Sequence, residues 1–148
     1  MPKKRERKRG EPPEAQLLNA MAVDARTFLQ TFKWCPPIED VLLSFGVGKV
    51  IALFLVKFAS PLPDGTRHLW VVVGDLPSVY MVTDNAPGPR SALEGYCELM
   101  QAWIDAVRSG TPLDQVYPVS VAPTAEYADL LERRLDFIRK EIIPVVQR

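Results

Sequence analysis

Three acidic residues are the side chains in this sequence best placed to do chemistry together. Asp75 follows a run of apolar residues, Asp84 ends the next such run, and Glu94 lies in the first turns of a predicted helix. Converging carboxylates can share a proton or hold a metal ion. The competing interpretation is turn chemistry, because Asp accepts backbone N–H bonds in turns, and we favour it. An enzyme or metal site on Asp75, Asp84 and Glu94 is kept as an alternative hypothesis.

The other reactive residues match no catalytic or metal-binding pattern. The segment Gly46-Val-Gly-Lys49 is similar to the end of a phosphate-binding loop, but Val50 stands where that loop needs Ser or Thr. His68 is the sole histidine, and neither Cys35 nor Cys97 lies at zinc-ligand spacing from it. We therefore assign no catalytic residue, metal or cofactor, and we favour a non-enzymatic protein.

Aromatic residues form the second kind of candidate site. On strands and helix stripes such residues usually belong to the core. Trp34 lies in the break Trp34-Cys-Pro-Pro, and Tyr80 lies in a short apolar run. An exposed cluster containing them would indicate a surface for a protein partner. The candidate binding residues are Trp34, Asp75, Tyr80 and Asp84.

The net charge of zero conceals a basic N-terminal arm. Residues 3–9 carry six basic side chains and one acid, which leaves 12 basic and 17 acidic residues elsewhere. A phosphate-binding arm for nucleic acid is one interpretation. A solvated, disordered leader over residues 1–12 is the other, and we favour it because no aromatic residues interrupt the charges. The arm consists of Lys3, Lys4, Arg5, Arg7, Lys8 and Arg9.

Composition indicates an ordinary soluble protein, with 47% hydrophobic and 24% charged residues. The most apolar stretch, residues 50–56, is too short to span a bilayer, and no apolar segment follows the basic start as in a secretory signal. Cysteines without a paired motif suit a reducing compartment. We expect a cytoplasmic protein without membrane association, with a single domain over residues 13–148.

Hydrophobic periodicity predicts the elements that position these residues. Helical spacing of apolar residues predicts helices over 13–32, 90–108 and 124–143, and a short helix over 38–45 for which a strand is the competing prediction. Apolar runs predict strands over 50–58, 68–73 and 79–83, joined by short links into a three-stranded antiparallel sheet. The predicted fold is α+β, in the order α-α-β-β-β-α-α. Because both sides of the first strand are apolar, we expect helices on both faces of the sheet.

One set of residues resembles a known pattern. The run Trp70-x-x-x-Gly74-Asp75-Leu76-Pro77, followed by Ala86-Pro87-x-x-x-x-Ala92-Leu93, is similar to the core of a family of small uncharacterised bacterial proteins. The resemblance spans roughly residues 50–105. It implies a bacterial, cytoplasmic, compact domain, and it implies no catalytic residues.

The leading functional hypothesis from the sequence is a non-enzymatic domain that binds or regulates a protein partner. It depends mainly on the absence of a catalytic constellation. Nucleic-acid association through residues 3–9 and an enzyme using the three acids are the alternatives. The identity of the partner and the oligomeric state do not follow from the sequence.

Overall fold

A four-stranded antiparallel sheet forms the centre of the computed structural model, which describes residues 13–147. The strands are β1 (Ile38–Val47), β2 (Ile51–Phe58), β3 (His68–Gly74) and β4 (Val79–Val82), and they lie side by side in chain order. Helix α1 (Glu14–Gln30) precedes the sheet. Helices α2 (Pro89–Ser109) and α3 (Ala125–Phe137) follow it, and single turns lie over Leu113–Gln115 and Ile143–Val145.

The sheet has four strands, so the predicted three-stranded sheet and the order α-α-β-β-β-α-α are wrong. The segment predicted as a short helix over residues 38–45 is strand β1. Its apolar residues recur at a spacing of three because the pairing with β2 is shifted by one residue after Ile38 and again after Leu43. These bulges put Ile38 and Val41 on one face of the sheet and Leu42 and Phe45 on the other. Two bulges thus imitate helical periodicity.

Two apolar layers cover the two faces of the sheet, as the sequence predicted. The residues of β2 alternate between them: Phe54, Val56 and Phe58 pack with α1, while Ile51 and Leu53 pack with α2 and α3. The other large predicted elements are also present, with the last helix continuing as a π-helical turn over Ile138–Ile142. Among the described residues, no helix combines the length and apolar character needed to cross a bilayer.

Hydrogen bonds from two buried aromatic side chains hold the segment around β4 in place. The Trp70 indole N–H donates to the carbonyl of Ala86 at 2.6 Å, and the Tyr96 hydroxyl donates to the carbonyl of Pro77 at 2.8 Å. Gly74 has a φ of +145°, and a Cβ there would collide with the carbonyl oxygen of Val50. The residues that carry the family resemblance therefore build the scaffold of β3 and β4.

Candidate functional site

The outer edge of β4 is the centre of the candidate site. The N–H of Tyr80 points away from β3, because its hydrogen-bond acceptor is the hydroxyl oxygen of Tyr117 at 3.2 Å. In an antiparallel ladder, every second residue directs its N–H and C=O to the same side. Val82, two residues further on, therefore also directs its backbone groups outward. The edge of β4 therefore directs outward backbone groups of the kind that a further strand would use, one of which, the Tyr80 N–H, is bonded to a side chain.

An aromatic cluster adjoins this edge. Phe28 and Tyr80 pack in the layer covered by α1, whereas Tyr117 packs in the layer on the opposite face. Trp34 and Tyr80 meet in a T-shaped contact with ring centroids 5.1 Å apart, and Trp34 stacks on Phe32 at 5.2 Å. Tyr117 contacts Tyr80 edge to face at 5.9 Å. We call Phe28, Phe32, Trp34, Tyr80 and Tyr117 the aromatic cluster. Trp34 is 39% exposed, so a flat apolar ring reaches the solvent at its rim.

A groove of about 580 Å³ adjoins the same edge on the face covered by α2. It is mainly apolar, and it lies between β4, α2 and the segment that carries Tyr117. Gly95 forms part of its wall, where a Cβ would approach Met81. The remaining lining includes Val82, Leu99 and Ala102. The β4 edge is thus flanked by apolar surface on both faces of the sheet. We use the name β4 groove for the groove and the adjoining edge of β4 together.

Electrostatics at the site keep the tyrosine hydroxyl neutral. Burial raises the pKa of Tyr117 to about 12, although the hydrogen bond from the Tyr80 N–H acts in the opposite direction. Burial likewise raises the pKa of Tyr96 well above its ordinary value. A neutral phenol oxygen can accept a hydrogen bond, although it is a weaker acceptor than a peptide carbonyl. Tyr117 therefore occupies the place that the carbonyl of a neighbouring strand would take.

The sequence named Trp34 and Tyr80 as separate candidates, and the structure brings them into contact. Tyr117 was one of the aromatic residues that could line a pocket or an interface, but it was not selected as a binding residue; it lies in an irregular segment after the short turn Leu113–Gln115. The signal that could have found it is local: an aromatic residue in the segment Tyr117-Pro-Val, outside any amphipathic stripe. No sequence pattern links Tyr117 to β4, because the contact depends on how the chain returns over the sheet.

The structure places the candidate acids apart from this site. The Asp75 carboxylate accepts a hydrogen bond from Arg134 at 2.8 Å, and its backbone carbonyl accepts another from the same side chain at 3.2 Å. This pair ties α3 to the turn between β3 and β4. The ion pair replaces the expected turn chemistry as the contact of the Asp75 carboxylate. Asp84 and Glu94 are both exposed at the surface.

No group of three or more His, Cys, Asp and Glu residues between positions 13 and 147 is arranged to hold a metal ion. Asp75, Asp84 and Glu94 are therefore not assembled into such a group. Cys35 and Cys97 pack on opposite faces of the sheet, and burial raises the pKa of Cys97 to about 11. A thiol that resists ionisation is a poor nucleophile. The basic arm over residues 3–9 lies outside the described residues.

A second cavity, of about 300 Å³, lies beside the Asp75–Arg134 pair. Its lining includes Tyr127 and Leu130, whose helical spacing predicts an inward position, but both are exposed. The buried residues of α3 are Ala128, Leu131 and Leu135. The cavity is lined by apolar side chains and one ion pair.

Comparison of the chain with protein-family models, curated proteins and solved structures gives no match. The family resemblance drawn from the Trp70 and Gly74–Pro77 pattern therefore stays an expectation. The β4 groove and the aromatic cluster are the features of the molecule that indicate a function.

Proposed function

We propose that the chain is a non-enzymatic protein-binding domain, which holds an extended segment of a partner polypeptide along the edge of β4. The observation that carries the proposal is the direction of the Tyr80 N–H. It points outward from the edge of the sheet, away from β3, and donates to a side-chain hydroxyl. An extended peptide can add a strand to such an edge, with the main chain giving affinity and neighbouring apolar surfaces giving specificity.

The side chains around the edge suit a bound strand. Successive residues of an extended peptide project to opposite faces of a sheet. One set of side chains would enter the β4 groove beside Met81 and Leu99, and the alternate set would meet the rings of Trp34 and Tyr80. Aromatic and apolar peptide residues at alternate positions therefore match the site.

The Tyr117 hydroxyl makes the edge stable in the absence of a partner. An edge amide without any acceptor invites unspecific strand pairing, and native proteins block such edges. A partner carbonyl has to displace this hydroxyl from the Tyr80 N–H. A neutral hydrogen bond contributes only about 0.5–1.5 kcal/mol net to stability. The binding free energy of a short peptide is therefore large enough to offset the loss of the Tyr80–Tyr117 hydrogen bond.

Selection from a library of random linear peptides tests the proposal. We expect selected peptides to have apolar residues at the positions that enter the groove and aromatic or apolar residues at the positions between them. Fluorescence anisotropy with these peptides should show about a tenfold or greater loss of affinity for Tyr80→Ala and Trp34→Ala. Val23→Ala is the matched control, because Val23 is a strongly exposed apolar residue on α1 that lies in neither surface, and its affinity should equal that of the wild type.

The Tyr117→Phe variant separates strand addition from simple apolar docking. Loss of the hydroxyl frees the Tyr80 N–H while the ring remains, so a peptide that pairs with β4 should bind more tightly to this variant. If Tyr117→Phe binds the peptide with unchanged affinity while Trp34→Ala loses affinity as expected, the peptide docks on the aromatic rings without pairing its backbone with β4. Equal peptide affinity of the wild type and all four variants would contradict the proposal.

A further inference from the structure

Strand β1 forms the opposite edge of the sheet and differs from β4 in length and cover. It has ten residues against four in β4. Leu42 and Leu43 are 45% and 48% exposed, and they project to opposite faces of the sheet. Val47 and Val50 near the end of the strand are also exposed. Four large apolar residues therefore lie uncovered along one strand and its turn.

The middle of this edge has bulges as protection against pairing but lacks the other usual devices. Edge strands are commonly guarded by charged residues, proline, bulges or short length. The run Val41-Leu-Leu-Ser-Phe-Gly-Val47 contains neither a charged residue nor proline. The bulges after Ile38 and Leu43 are the irregularities in its pairing with β2. A further strand along β1 would cover Leu42 and Leu43 at once.

The charges at the two ends of β1 indicate that this further strand is β1 of a second copy. Asp40 lies at its beginning, and Lys49 lies in the turn just after its end. The neighbouring Glu39 is paired with Lys57 of the same chain at 3.0 Å. Antiparallel pairing about a two-fold axis brings the beginning of one strand beside the end of the other. The Asp40 of each copy then faces the Lys49 of its partner, with the exposed leucines near the axis. Such an interface is self-complementary, as closed dimers require.

We infer that two copies of this chain associate through antiparallel pairing of their β1 edges, forming one continuous sheet across the dimer. The axis runs through the sheet, so α1 of both copies lies on the same face. The two β4 edges then lie at the outer ends of the joined sheet. The dimer therefore leaves both β4 grooves free, and it does not depend on the proposed binding of a partner peptide.

Sedimentation velocity over a range of micromolar concentrations tests this inference with the full chain. The wild type should show a species of twice the 16.6 kDa chain mass. The double variant Leu42→Lys/Leu43→Lys should sediment as a monomer, with the circular dichroism spectrum unchanged because both side chains already contact water. Val23→Lys, a matched change at an exposed apolar position outside the sheet, should remain dimeric. A monomeric wild type, or a dimer that survives the double variant, would overturn the inference.

Charge exchange provides a second test that leaves the apolar residues intact. Asp40→Lys and Lys49→Asp should each raise the dissociation constant of the dimer by about tenfold or more, because like charges then face each other across the interface. Combining the two changes restores opposite charges and should recover most of the lost affinity. Additive weakening in the combined variant would reject the antiparallel arrangement. Tyr80→Ala should leave the dimer intact, which distinguishes this interface from the β4 groove.

Discussion

Replacing Trp70 by Phe tests how the scaffold below the candidate site is held together. The Trp70 side chain is buried, and its indole N–H donates to the Ala86 carbonyl at 2.6 Å. Phe leaves that carbonyl without its donor, which costs about 1–3 kcal/mol. The smaller ring also leaves unfilled space worth about 1–2 kcal/mol. We therefore expect the free energy of unfolding to fall by about 2–5 kcal/mol.

Trp103→Phe is the matched control for this change. Trp103 is equally buried on α2, and no hydrogen bond of its side chain is found among residues 13–147. The control should cost only the packing contribution of about 1–2 kcal/mol. Urea unfolding of both variants, followed by circular dichroism, gives the two free energies. Equal destabilisation of the two variants would refute the claim that the Trp70–Ala86 hydrogen bond stabilises this region.

Three further predictions follow from the backbone and from burial. Gly74→Ala should lower the free energy of unfolding in urea by about 2 kcal/mol or more, because the positive φ and the contact with Val50 exclude a side chain. Lys49→Gly should raise it by about 0.5–1 kcal/mol, because Lys49 has a left-handed φ of 68°; an unchanged midpoint would argue against strain there. Burial raises the pKa of Tyr96 and Tyr117 above the ordinary 10.0. Ionisation of these phenols therefore favours the unfolded chain, so their contribution to the free energy of unfolding, constant below pH 10, should fall as the pH rises towards 12, less steeply in Tyr117→Phe. The Cys97 thiol, whose pKa burial raises from 9.0 to about 11, adds a fall of the same sign in both proteins.

The sequence predicted the elements whose apolar pattern extends over several turns or strand pairs. The stripe from Leu93 to Val107 packs as expected, and the alternation in β2 correctly predicted apolar layers on both faces of the sheet. The same reasoning failed for β1, because bulges changed the period from which its structure was inferred. Periodicity alone cannot separate a bulged strand from a short helix, since both repeat at a spacing of three.

The candidate site could be predicted only in part, for a different physical reason. Trp34 and Tyr80 were selected as aromatic residues whose exposure would indicate a partner surface, but their contact depends on how the segment after α1 and strand β4 meet. The role of Tyr117 depends on one hydroxyl reaching an edge amide. Such a contact leaves no periodic trace in a sequence. Asp75 was also selected, but its position follows from a partner far along the chain, Arg134.

Hydrogen–deuterium exchange of the backbone amides, with and without a selected linear peptide, tests the central claim most directly. The claim is that the outward edge of β4 pairs with an extended polypeptide. We predict that exchange of the Tyr80 and Val82 amides slows on binding, while exchange along β1 stays unchanged. If the peptide binds and the exchange rates of the Tyr80 and Val82 amides stay unchanged, the claim that β4 pairs with the peptide is contradicted.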